Sequence, residues 1–258
     1  MKPVKNLCIV QARMGSTRLP GKVLMKLRGK TVLERVLERA SAARSVSETM
    51  VATGLGRENL PLVRLCAGKG IRVFCGSEND VLDRFYQAAK LIEPLNIIRI
   101  TADCPLMDPA VIDLVVKAHL RSGADYTSNV APPTFPDGED VEVFSFRALE
   151  RAWKEAELAS EREHVTPYIR NHQRLFKKYA VLNEVDLSGK RWTLDRRADL
   201  KFISAVYKTA GSGVFGMKEI LKIVSKRPEL EKLNAGIDRG EGYAKSLRED
   251  RRVKCRRP

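Results

Sequence analysis

Val10-Gln11-Ala12-Arg13-Met14-Gly15-Ser16-Thr17-Arg18-Leu19-Pro20-Gly21-Lys22-Val23-Leu24 continues the apolar run of residues 7–10. The run reads as a buried first strand, and the stretch after it as the loop at that strand's carboxyl end. Arg13, Arg18 and Lys22 stand among the small residues Gly15, Ser16, Thr17 and Gly21. Small residues let backbone N–H groups approach an anion while long cationic side chains close around it. A triphosphate suits that composition. The loop has neither the G-x-x-x-x-G-K-[ST] spacing of a P-loop nor the three glycines of a dinucleotide fingerprint.

Outward from this loop, strand-like and helix-like patterns alternate. Residues 31–44 carry Val32, Leu33, Val36, Leu37 and Ala40 at helical spacing, and residues 50–53 form a short apolar strand. A helix over 59–68, a strand over 71–74, a helix over 81–92 and a strand over 96–101 follow. Asp108 and Pro109 open the next helix as N-cap and first-turn proline. Residues 124–129 read as a further strand. This order predicts an α/β fold with a mostly parallel sheet covered by helices on both faces. Ligands of such sheets bind at the carboxyl ends of the strands, where both the basic loop and Asp103 fall.

Beyond residue 130 the pattern changes. A turn-rich connection over 131–138 leads to a strand at 142–145 and helices over 147–158 and 161–172. Residues 176–185 read as extended, and 191–195 as a short strand ending in an acid. Helical patterns close the chain at 199–208, 218–226 and 229–234. No composition break divides it, so residues 1–247 are expected to form one domain. The basic residues 248–258 are expected to be a disordered tail.

Composition narrows the class. The chain has 258 residues, 43% hydrophobic and 31% charged, enough apolar mass for a substantial core. No apolar run reaches the length of a membrane span and no signal-peptide pattern opens the chain, so a cytoplasmic protein without membrane contact is expected. A formal net charge of +15 admits nucleic acid as a partner, but aromatic residues are only 6% and none interleaves with a basic stretch. That argues against a single-strand stacking platform and favours small anionic ligands. Cys8, Cys66, Cys75, Cys104 and Cys255 form no C-x-x-C pair, which argues against a disulfide framework and against a zinc site. Most are expected to be free buried thiols.

Two acids share one setting. Asp103, in Thr101-Ala102-Asp103-Cys104-Pro105-Leu106, and Asp195, in Arg191-Trp192-Thr193-Leu194-Asp195, each end a strand-like run. Such an acid either caps the next turn or offers oxygen to Mg²⁺, which commonly takes one or two carboxylates together with substrate phosphates. They share a metal only if the fold brings them together. Cys104 lies beside Asp103, but no base is placed to activate it.

The loop 11–22 closely resembles the S-T-R-L-P-G-K loop of sugar-acid cytidylyltransferases, including the 3-deoxy-manno-octulosonate and acylneuraminate enzymes, and above all their spore-coat polysaccharide branch. The resemblance continues through Gly76-Ser77-Glu78-Asn79-Asp80, residues 101–106, Asp125-Tyr126-Thr127-Ser128-Asn129 and residues 135–144. It ends with Arg162-Glu163-His164-Val165-Thr166-Pro167-Tyr168 and Trp192-Thr193-Leu194-Asp195. It implies a Rossmann-like nucleotide-diphospho-sugar transferase fold, with residues of about 130–190 as an insertion-like substrate and dimerisation region of a homodimer. It further implies that Arg13, Ser16 and Lys22 contact the phosphates of CTP with Arg18 nearby, and that Ala12, Gly15, Ser77 and Asp103 complete the nucleotide site. Arg13, Lys22 and Asp103 would be catalytic, and Asp103 and Asp195 would hold Mg²⁺. Asp140, Glu142, Arg162 and His164 would face the acceptor. The chain departs from its relatives in two places: Cys75 stands where an arginine is usual before Gly76-Ser77, and Arg196-Arg197 follow Asp195.

The expected function is therefore Mg²⁺-dependent transfer of CMP from CTP to an acidic sugar or sugar phosphate, with release of pyrophosphate, in surface polysaccharide or glycan synthesis. Two alternatives keep the fold: a nucleotidyltransferase using another nucleoside triphosphate, and a glycosyltransferase using a nucleotide sugar. A third is a cationic nucleic-acid-binding protein.

Overall fold

The computed structural model describes residues 4–253. Strand β1 (Asn6–Gln11) is buried along almost its whole length and leads through the basic loop to the hairpin β2 (Lys26–Leu27) and β3 (Lys30–Thr31). Helix α1 (Val32–Ala42) starts from a capping box between Thr31 and Glu34. Then follow β4 (Glu48–Gly54), α2 (Leu60–Gly68), β5 (Arg72–Gly76), α3 (Val81–Lys90), β6 (Asn96–Thr101) and α4 (Pro109–Ser122). Asp108 caps α4 through the Ala110 N–H, as its place before Pro109 predicts.

β7 (Tyr126–Ser128), β8 (Glu142–Ser145), α5 (Phe146–Glu155), α6 (Ala159–His164), α7 (Pro167–Asn171) and β9 (Lys178–Ala180) make the middle region. Helices α8 (Arg197–Ala210), α9 (Met217–Lys226) and α10 (Glu241–Arg248) follow, with a 3₁₀ turn at Pro228–Leu233.

The main sheet has the order β5-β4-β1-β6-β8-β7-β9. β1 pairs in parallel with β4 and β6, while β8 runs antiparallel to both β6 and β7. The sheet is thus mostly parallel, as expected, with one reversed strand. Side chains alternate across β1: Cys8 and Val10 pack with α1 and α4, and Leu7 and Ile9 with α3 and α5. A third apolar cluster joins Trp192 and Leu194 to Phe202, Ile203 and Val206 of α8 and Ile220 and Val224 of α9.

Several expectations are corrected. Residues 161–172 are two short helices, not one. Val165 adopts φ 71° between them, and Pro167 cannot donate to a continuing helix. Residues 191–195 form no strand; Arg191 makes a single bridge to Asp137. Residues 250–253, expected to be disordered, are docked: Ser160 donates to Asp250 from N–H and Oγ, at 3.0 and 2.7 Å, and Val253 N–H donates to the Glu157 carbonyl at 2.8 Å. Cys255 and the remainder of the tail, 254–258, lie outside the described residues. Cys8, Cys66 and Cys104 are free and buried, and Cys75 is free and half-buried. No helix among the described residues is long and apolar enough to cross a membrane.

Candidate active site

The loop after β1 closes on itself before it reaches the site. Ser16 and Gly21 N–H groups donate to the Met14 carbonyl, and Met14 N–H donates to Asn59 Oδ1. Gly21, at φ 67°, turns the chain into a short 3₁₀ segment that starts at Lys22. This turn sends the Lys22 side chain inward.

Two further segments meet it. Asp103 follows β6, and the backbone of 193–195 lies alongside, with Leu194 N–H donating to the Asp103 carbonyl at 2.8 Å. Gly138 makes that approach possible. It has φ +113°, and a Cβ there would sit 2.7 Å from Thr193 N and Trp192 C. Asp137 and Trp192 are consequently joined by a backbone hydrogen bond of 2.6 Å.

Lys22 Nζ donates to Asp103 Oδ2 at 2.6 Å, Asp195 Oδ1 at 2.7 Å and the Leu194 carbonyl at 2.8 Å. All three ammonium protons are thereby used. Burial alone would lower the Lys22 pKa, but the two carboxylates outweigh it and raise it. Asp103 and Asp195 are held below the usual carboxylate range: burial works against ionisation, and Lys22 more than offsets it. Asp195, which Arg18 also pairs, falls to about 2. Arg18 Nη2 lies 2.9 Å and Arg191 Nη2 3.3 Å from Asp195 Oδ2.

Cavities flank this centre on either side. One, of about 370 Å³, is lined by Ala12, Arg13, Ser16, Arg18 and Lys22. The other, of about 360 Å³, is lined by Arg99, Asp137, Asp140, Glu142 and Arg170. Asp103, Asp195, Arg18 and His164 border both. His164 is driven down to about 4, chiefly by burial, with Arg99 and Arg170 adding to the effect against Glu163, so it is neutral at neutral pH.

Most expected residues converge here, each with a distinct setting. Glu142 is 4% exposed, and its carboxylate is already taken by Arg99, the Tyr126 hydroxyl and Thr166 Oγ1. It therefore orients those groups rather than offering free oxygens. Asp140 pairs with Arg239. Gly15 lies in the basic loop with open space where a Cβ would point, so no neighbour demands a glycine there.

Two expected residues are placed elsewhere. Ser77 Oγ accepts from the N–H of Asp80 at 3.0 Å, and Asp80 in turn caps the start of α3. Arg162 pairs with Asp80 at 2.7 Å and donates to the Trp153 carbonyl, a buried brace between α6, α3 and α5. Neither lines the two cavities. Cys104 is buried with its thiol pushed well up by burial and by Asp103, which makes a thiolate nucleophile unavailable.

The sequence reading missed Arg99, Asp137, Arg170, Arg191, Arg239 and Lys245. Asp137 lies in the motif 135–144 and Arg191 directly before the motif 192–195, so their charge beside those motifs was the available signal. Arg239 and Lys245 carried no local signal.

Among the described residues no group of three or more metal-ligating side chains occurs. The Asp103–Asp195 pair nonetheless gathers hard oxygen donors around one cationic centre. That donor set fits a magnesium ion that draws its remaining ligands from phosphate and water.

Residues 7–233 match the family model described as cytidylyltransferase. The chain is 34% identical over 236 residues to the spore coat polysaccharide biosynthesis protein SpsF of Bacillus subtilis, covering 86% of this chain and 95% of that protein. It is 36% identical over 114 residues to a 3-deoxy-manno-octulosonate cytidylyltransferase of Solibacter usitatus, covering 44% of each. Among solved structures, a cytidylyltransferase from Leptospira borgpetersenii is 32% identical and superposes with a TM-score of 0.86, covering 92% of this chain and all of that one.

Proposed function

The chain belongs to the cytidylyltransferase family, and on that premise we propose that it transfers CMP from CTP to an acidic sugar, with Mg²⁺ and with release of pyrophosphate. One observation carries the reading: the two cavities meet at a shared wall formed by Asp103 and Asp195, with Lys22 between them. Nucleotide on one side and acceptor on the other would bring the attacked phosphorus to that wall.

In-line phosphoryl-type transfer asks a protein mainly for positioning and charge neutralisation. Arg13, Ser16 and Arg18 supply cations and a hydroxyl on the nucleotide side. Lys22 borders the same cavity, so its ammonium serves either the acids or a bound triphosphate. Asp103 and Asp195 would hold Mg²⁺, which when bound offsets charge on the reacting phosphates. On the other side, Arg99 and Arg170 offer cationic surface to an anionic acceptor; Glu142 holds Arg99 in place and is itself fixed by the Tyr126 and Thr166 hydroxyls. His164, neutral and bordering both cavities, is placed to hydrogen-bond an attacking hydroxyl; the burial that keeps it neutral also makes it too weak a base to take the proton. A cytoplasmic homodimer belongs to the same reading and rests on the resemblance alone.

Pyrophosphate release is the direct test, measured with CTP, UTP, GTP and ATP against sugar acids and sugar phosphates in Mg²⁺. Release with CTP and a sugar acid is expected, and Asp103→Ala should lower turnover by about 100-fold or more. Release only with another triphosphate would reassign the nucleotide. A glycosyltransferase would release none with any of them.

A further inference from the structure

The family match ends at residue 233, yet the chain continues over the site. Its next fixed point is Asn234, 5% exposed, whose side-chain amide donates to the Arg191 carbonyl at 2.9 Å and to Asp199 at 3.1 Å. The far fixed point is Asp250, held by Ser160, with Arg251 and Val253 continuing the attachment. Between these anchors, residues 235–249 cross the mouths of both cavities. Arg239 and Tyr243 border the acceptor side, Lys245 and Ser246 the nucleotide side, and Gly242 borders both.

This strap has anchored ends and a middle held by surface contacts, with Arg239 also donating to the Phe135 carbonyl at 3.0 Å and the Tyr243 ring lying 5.2 Å from the Arg170 guanidinium. Helix α10 within it contains no buried residue. Its ties are polar or edge contacts: Glu241 to Arg196 at 2.8 Å, Ser246 to His164 at 2.9 Å and to Glu163 at 2.8 Å, Arg239 to Asp140, and the Tyr243 ring 5.0 Å from that of His164. Exchanging such contacts for water costs little compared with exposing a packed core. Gly236 and Gly240 both take left-handed φ, at 72° and 77°, so the segment bends at positions any other residue would strain.

Lys245 is the strap's cation on the nucleotide side. Its side chain is 68% exposed and makes only a long ion pair, with Glu249 at 3.9 Å. Glu163 and Glu249 border the same cavity, and Ser246 already donates to Glu163. We propose that residues 235–249 are a lid that closes over bound CTP, and that Lys245 is a further triphosphate-binding residue delivered by that closure. The proposal rests on the reading of the nucleotide-side cavity as a CTP site.

Limited trypsin digestion of the full chain, with fragments read by mass spectrometry, follows the lid without needing an acceptor or turnover. Saturating CTP with Mg²⁺ is expected to slow cleavage after Arg239, Lys245 and Arg248 by about fivefold or more. In pyrophosphate-release kinetics, Lys245→Gln is expected to raise KM for CTP by about tenfold with kcat nearly unchanged, and Lys245→Arg to restore it. Lys245 is exposed, so these variants should fold as the parent does. Cleavage indifferent to CTP in a chain that turns CTP over would overturn the lid and leave the activity standing. An unchanged KM in Lys245→Gln would overturn the role of Lys245. CTP protection without pyrophosphate release under any acceptor would retain the lid and reject cytidylyl transfer.

Discussion

Lys22 occupies the point where two acids meet, and its removal tests what those acids require. In Lys22→Met, Asp103 and Asp195 would face each other with only the arginines at the edge of the pair. Breaking a largely buried pair from one side typically costs about 3 kcal/mol or more. Urea unfolding at neutral pH should show a loss of that order, partly restored by millimolar Mg²⁺ if the acids accept the ion. A variant as stable as its parent, and indifferent to Mg²⁺, would remove both the electrostatic account and the metal assignment. The same residue shows how far local pattern goes. A lysine after Pro20-Gly21 in a basic loop is legible as a phosphate ligand, whereas its triple engagement by residues 81 to 173 positions away is not. Arg162 shows the converse: a motif residue expected at the acceptor is spent on Asp80.

Secondary structure was legible where one periodicity and one cap agreed. Helix α1 is an example, with apolar residues on one face and a Thr31–Glu34 box at its start. Glu34 accepts from Thr31 N–H at 2.6 Å and Thr31 Oγ1 at 2.8 Å. These bonds, with Lys69, overcome the effect of burial and lower its pKa from 4.5 to about 2. A depressed carboxylate stabilises the fold above its unfolded pKa and loses that contribution as pH falls through the folded value. The stability gap between the parent and Glu34→Gln should therefore be widest above pH 4.5 and close towards pH 2. Thermal melts across that range check the sign; a constant gap would mean that the charge contributes nothing. Legibility failed where elements were short. Residues 191–195 have a strand's composition, but their backbone is used by Asp103 and Asp137 instead of a sheet neighbour.

The whole molecule depends on how its third apolar cluster is attached to the sheet. Trp192 and Leu194 belong to that cluster, while the backbone between and after them touches Asp103 and Gly138. Gly138→Ala would set a methyl 2.7 Å from backbone atoms that cannot turn aside, at a φ of +113°. A cost of about 2–3 kcal/mol is expected from strain and displaced backbone. Because the displaced segment carries Asp195, pyrophosphate release should fall with stability, and to a greater extent. Full activity in Gly138→Ala would show that the approach of 137–138 to 192–193 does not position the acid.

Periodicity and turn chemistry determined the alternating α/β order, the parallel character of the first half and the basic loop at a strand end, because each arises among neighbours in the chain. The motifs 11–22, 101–106 and 192–195 carried the family for the same reason. Only the tertiary structure decided that Asp103 and Asp195 share one cation, that β8 is reversed, and that a polar strap beyond residue 233 roofs the site. Those outcomes depend on contacts between residues tens to hundreds of positions apart. Their energies come from charge pairing and backbone approach in space, and no local pattern records them.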